Sequence, residues 1–138
     1  RGEELRVDLE VMAAKIAELG PDNIVAVLST TSCFAPRIPD NLIRIGELCG
    51  GIIPHLVNNA YGLQSSRCVQ LLNGAAFDLA VQSTDKNFMV PVGGALVCGP
   101  RAELLARVSA MYAGRASISP LLDLAITLLE MGQEGYRQ

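Results

Sequence analysis

Tryptophan is absent from the 138 residues, and histidine occurs once, at position 55. Aromatic residues make up only 4% of the chain, while alanine and glycine are plentiful. That balance disfavours a sandwich of aromatic-rich strands and favours helices packed closely on a sheet. Lysine stands only at positions 15 and 86, the arginines are scattered singly, and the net charge is −3. A nucleic-acid module normally carries a basic patch or stripe, and none is visible here. No apolar run approaches the ~20 residues that span a bilayer, so no membrane partner is expected. The four cysteines, Cys33, Cys49, Cys68 and Cys98, form no C-x-x-C pair, and His55 alone does not complete a zinc cluster. A disulfide framework stays open arithmetically. With neither a signal peptide nor a glycosylation sequon, reduced thiols in a cytoplasmic protein are the expectation.

What is present reads as one α/β domain, the length suiting a single unit of ~100–200 residues. Leu5, Leu9, Met12, Ala13, Ile16 and Ala17 recur at helical spacing between Glu3 and Leu19, and Gly20-Pro21 stops that helix. The run Ile24-Val25-Ala26-Val27-Leu28 predicts a strand buried on both faces, as in a parallel sheet. A helix over 40–49, a strand over 52–57, a helix over 65–72 and a strand over 79–83 follow. A loop over 84–92 leads to a strand over 95–98, then to helices near 101–111 and 121–131. The alternation predicts βαβ units, with the last strand free to enter antiparallel because a loop and no helix precede it.

In open α/β sheets ligands bind beyond the carboxyl ends of the strands. Three polar clusters stand there: Ser29-Thr30-Thr31-Ser32, Asn58-Asn59-Ala60-Tyr61-Gly62 and Ser83-Thr84-Asp85-Lys86-Asn87. Lys86 follows a buried strand and precedes Phe88-Met89-Val90-Pro91. Apolar surroundings destabilise an ammonium and favour the nucleophilic amine, which Schiff-base chemistry needs. A lysine snorkelling from a surface loop is the alternative. Asn58 could meet the ring nitrogen of a cofactor, or the Asn-Asn pair could serve turn geometry alone. Arg115, in Tyr112-Ala113-Gly114-Arg115-Ala116-Ser117, could present its planar fork to a phosphate or sit solvated in a connecting loop. His55 reads as a satisfied core histidine. Gly93-Gly94 marks a close backbone approach.

The runs VLSTTSCFAPR (27–37), IPHLVNNAYGLQSS (53–66), VQSTDKNFMVPVGGA (81–95) and GRAS (114–117) resemble the O-phosphoseryl-tRNA(Sec) selenium transferase family. The resemblance covers nearly the whole chain from Ile24 onward, and DKNFMVPVGG is its most specific stretch. It implies an α/β fold: a piece of the large domain of a fold-type I pyridoxal-phosphate (PLP) transferase, with a mostly parallel sheet flanked by helices. Residues 1–138 would then be part of the catalytic domain, with an N-terminal segment and a C-terminal domain lying beyond them. By themselves they would lack part of the active site.

The resemblance also implies roles. Lys86 would bind PLP as a Schiff base and remove the substrate α-proton, Asn58 would face the pyridine nitrogen, and Ser83 would help hold the cofactor phosphate. Arg115 would bind the phosphoryl group of the substrate. The implied reaction is β-elimination of phosphate from O-phosphoseryl-tRNA(Sec), then addition of selenium from selenophosphate. The implied partners are that tRNA and further copies of the chain, as a homotetramer. Between Leu72 and Phe77 the family has a longer, arginine-containing stretch associated with tRNA, where this chain has only Asn73-Gly74-Ala75-Ala76. No tRNA-contacting residue is assigned. Two other classes remain open: a different fold-type I enzyme, desulfurase-like or tRNA-dependent and cysteine-forming, and an inactive self-associating core.

Overall fold

The structure is a computed structural model and describes residues 5–32 and 37–137. Cys33, Pro36 and Glu3 lie outside the described residues; the first expected helix begins only at Leu9, capped by Asp8, and Leu5 instead pairs with Arg37 in an isolated bridge. Four strands, β1 (Val27–Thr30), β2 (His55–Asn58), β3 (Leu79–Ser83) and β4 (Ala95–Cys98), form one sheet in the order β1-β2-β3-β4. The first three are mutually parallel and β4 returns antiparallel against β3. The helices are α1 (Leu9–Leu19), α2 (Leu42–Cys49), α3 (Ser66–Gly74), α4 (Thr84–Phe88), α5 (Ala102–Met111) and α6 (Ser119–Gly135). Parallel neighbours need a long crossover, which α2 and α3 supply, whereas only the short α4 and a glycine turn separate β3 from β4.

Helix starts are fixed by side chains that accept from otherwise unpaired backbone N–H groups. Asp8 Oδ1 accepts from Glu10 N (3.1 Å) and Val11 N (3.0 Å), Asn41 Oδ1 from Arg44 N (3.2 Å), and Ser65 Oγ from Cys68 N (3.4 Å). At its other end α2 closes on Gly50, which has the left-handed backbone (φ 59°) that glycine adopts without penalty.

One face of the sheet carries the core. Val27 and Ile53 pack with Ile45 and Cys49 of α2, and Leu9, Met12 and Ile16 of α1 lie against them. Leu42, Val57, Leu72 and Ala80 form a second cluster that joins α2, β2, α3 and β3. Beneath it His55 is buried and satisfied: its Nδ1–H donates to Ala76 O (2.8 Å) and Nε2 lies 2.7 Å from Ser29 Oγ. The core-histidine reading therefore holds.

Other expectations change as well. The first strand begins at Val27, not Ile24, and Val25 is 91% exposed. Pairing starts where its partner can sustain it: Val27 N donates to Pro54 O (2.9 Å), but Pro54 has no N–H to return. The strands are also not buried on both faces. Leu28, Val81 and Val97 are exposed and, with Val108 of α5, line an apolar groove of about 530 Å³. Finally, the expected loop over 84–92 opens with α4, five residues that are too few for a helical period to show in sequence.

Leu42 is fully buried and Leu28 is 67% exposed, so their truncations should separate. Leu42→Ala should cost about 2–5 kcal/mol in denaturant unfolding, as leucine truncations in packed cores do. Leu28→Ala in the same chain should shift the midpoint far less. Equal shifts would mean that the Leu28 face is covered in solution.

Candidate functional site

The carboxyl ends of β1, β2 and β3 meet at one rim, because Thr30, Asn58 and Val81 are register partners. A buried polar layer joins the residues just past them. The Thr31 hydroxyl donates to Asn59 Oδ1, and Asn59 Nδ2 donates to Gln82 Oε1 (2.7 Å). Thr31 and Asn59 are fully buried, so these bonds also satisfy groups that would otherwise be costly to desolvate. The chain then turns tightly over this layer. A Cβ on Gly62 would sit 1.8 Å from Asn59 Oδ1, so only glycine fits there.

Lys86 lies on α4 at this rim. Its Nζ donates to Ser83 Oγ (3.3 Å), lies 3.5 Å from Asp85 Oδ2, and stands 5.3 Å from the centre of the Tyr61 ring. Its side chain is 35% exposed. The immediate setting is therefore polar and aromatic, not the apolar one suggested by Phe88-Met89-Val90. The reason is geometric: Phe88 ends α4 with its ring edge-on to Tyr136, while Met89 is exposed and Val90 buried. A cation over the face of tyrosine is held by the ring quadrupole, which gives the amine a preferred direction.

The Ser83 hydroxyl also donates to Asp85 Oδ1. That bond, aided by the Lys86 charge, holds the Asp85 carboxyl below its ordinary pKa. Asn87 ties this helix to the preceding turn. Its Oδ1 accepts from Leu63 N (3.2 Å), and its Nδ2 donates to Ala60 O (2.8 Å) and Ser83 O (2.7 Å). Gln64 Nε2 adds a bond to Lys86 O (2.8 Å). From the far side Tyr136 donates to Phe88 O (3.2 Å), its ring edge-on to that of Phe88 at 6.3 Å.

Of the four candidate residues, Lys86 and Ser83 are brought within hydrogen-bonding distance. Asn58 stands on the adjacent strand, half-buried, its Oδ1 accepting from Ala60 N (3.1 Å) in a local turn that leaves its amide nitrogen available. Arg115 is exposed between α5 and α6 and touches none of the other three. It lines a cavity of about 520 Å³ with Ser117, Gly94 and Thr84, two residues before Lys86. The Thr84 hydroxyl is buried there with no hydrogen-bond partner among the described residues. Sequence reasoning gave no role to Tyr61 or Asn87. The signal available was spacing: Asn87 follows Ser83 by four residues, one helical turn.

A mostly parallel sheet flanked by helices, with a lysine just past the third strand, defines the class: the large-domain fold of fold-type I PLP enzymes. The crystal structure of Oryza sativa TDC with PLP and tryptamine shares this fold, at TM-score 0.77 and 15% identity, over 95% of this chain and 30% of that one. A family model, O-phosphoseryl-tRNA(Sec) selenium transferase, matches residues 1–138. The protein of that name from Dictyostelium discoideum is 52% identical over 140 residues, covering 98% of this chain and 29% of the relative. The crystal structure of an archaeal O-phosphoseryl-tRNA(Sec) selenium transferase superposes with TM-score 0.91 at 34% identity, over 99% of this chain and 33% of that one. The chain belongs to the O-phosphoseryl-tRNA(Sec) selenium transferase family. It spans about a third of the length of these relatives.

A carboxyl held at low pKa in the fold stabilises it above the ordinary carboxylate range, and that contribution is lost as pH falls through the lowered value. Ser83→Ala removes the main cause at Asp85. In a carboxyl-carbon NMR titration the Asp85 midpoint should therefore move upward in the variant. An unmoved midpoint would rule out the Ser83–Asp85 bond.

Proposed function

We propose that the protein is a PLP-dependent transferase that converts O-phosphoseryl-tRNA(Sec) to selenocysteinyl-tRNA(Sec), and that residues 1–138 form part of its catalytic domain. The observation that carries this reading is the family match over the whole chain, which runs through the rim where Lys86 meets Ser83 and Tyr61. Selenophosphate is the proposed selenium donor, and a homotetramer in the cytoplasm is the proposed setting. Among the described residues no helix is long and apolar enough to cross a membrane.

The residues present fit the cofactor. The rim offers a partly exposed primary amine, a free amide N–H on the neighbouring strand, and the unpartnered Thr84 hydroxyl nearby. When bound, PLP supplies the electron sink for negative charge at the substrate α-carbon. Lys86 Nζ would hold the cofactor through its aldehyde and, once the substrate amine has displaced it, would be free to take the proton from that carbon. Tyr61 and Ser83 flank the amine, at 5.3 Å from the ring centre and 3.3 Å from the hydroxyl. Asn58 would face the ring nitrogen as a neutral partner, a weaker stabiliser of ring charge than a carboxylate, which suits a substrate whose leaving group is phosphate. Ser83 contributes to the cofactor phosphate site, and Arg115 pairs with the phosphoryl group of the substrate through its fork of N–H donors. The alternative of a different fold-type I enzyme loses support to the family match.

In full-length protein, Lys86→Ala should abolish the borohydride-trapped PLP adduct that peptide mapping finds on Lys86 in the wild type, while the fold survives. A retained adduct, or one on Lys15, would overturn the assignment. Arg115→Ala should spare PLP binding and lower phosphoseryl-tRNA turnover by about 10²-fold or more, the scale of losing one charge-stabilising donor. Unchanged turnover would remove Arg115 from the site.

A further inference from the structure

We propose that Asn87 is a positioning residue: it locks Lys86 to the turn that follows Asn58, so that the two halves of the cofactor site hold one geometry. The inference rests on the reading of Lys86 as the PLP lysine.

The geometry supports it in three ways. The Asn87 side chain spends both amide N–H groups and its carbonyl on backbone groups of two segments. Ala60 O and Leu63 N belong to the turn that carries Tyr61, and Ser83 O to the junction of β3 with α4. It is 5% exposed, so water offers little replacement if those bonds are lost. And α4 has only five residues, too few to hold its own direction. The facing of Lys86 is thus set by bonds that leave the helix: those of Asn87 to the Ala60–Leu63 turn and that of Gln64 to Lys86 O (2.8 Å). Tyr61 and Lys86, 5.3 Å apart, sit on opposite sides of the Asn87 link.

No other side chain of this size supplies the same set. Aspartate keeps the volume and the acceptor for Leu63 N, but turns both donors into acceptors against two carbonyls. Alanine removes all three bonds. A displacement of about 1 Å at a reacting group costs on the order of 10²-fold.

The test uses full-length protein carrying Asn87→Asp, Asn87→Ala or, as a control that weakens the core away from the rim, Leu72→Ala. Three quantities are read: PLP affinity by absorbance, the rate of borohydride-trappable PLP attachment to Lys86, and the thermal midpoint. Both Asn87 variants should bind PLP about tenfold more weakly or worse and attach it to Lys86 about 10²-fold more slowly. Leu72→Ala should lower the midpoint at least as far with attachment near the wild-type rate. Wild-type attachment in the Asn87 variants, or equal slowing in Leu72→Ala, would overturn the proposal and leave the functional reading standing. Absence of any Lys86 adduct in the wild type would overturn both. Asn87→Ser, which keeps a donor, is the reserve variant, and failure of all Asn87 variants to fold would mark the residue as a fold determinant and overturn its positioning role.

Discussion

Parallel pairing of β1, β2 and β3 sets Thr30, Asn58 and Val81 side by side, and the chemically useful groups of the rim lie within a few residues beyond that line. Because the strands run the same way, three polar segments leave the sheet at the same edge. A slip of one residue would turn Asn58 to the opposite face. The buried chain of Thr31, Asn59 and Gln82 opposes such a slip, since its bonds can be made only in this alignment.

The two faces of the sheet differ in character. Against one, α1, α2 and α3 bury the apolar clusters around Ile45 and Leu42. Against the other, Leu28, Val81 and Val97 stay exposed beside α5. The rim joins the two, so the packing of α2 and α3 on the closed face holds the ends of β1, β2 and β3 still. Lys86 then depends on the network of short bonds above the rim more than on its own helix.

The electrostatics of the rim are local. Lys86 is met by a carboxylate, a hydroxyl and an aromatic face within a few ångströms. The amine therefore has a defined resting place without deep burial and stays partly exposed. Arg115 stands apart across a cavity.

By itself the sequence determined the class of fold, through apolar runs alternating with helical periods, and it marked the rim, because polar clusters follow each run. It also singled out Lys86, as one of two lysines and the one just past a strand. The motif DKNFMVPVGG carried the family, which no periodicity argument could reach. Strand limits and α4 were not legible, since they depend on which backbone partner is available and on a helix too short to show a period. The polar setting of Lys86 was equally hidden. Phe88, Met89 and Val90 are its neighbours in sequence, but Tyr61 and the Ala60–Leu63 turn, brought to it by strand pairing and held by Asn87, are its neighbours in space. Side-chain identity fixes what a residue can do, and only the register of distant strands decides what it meets.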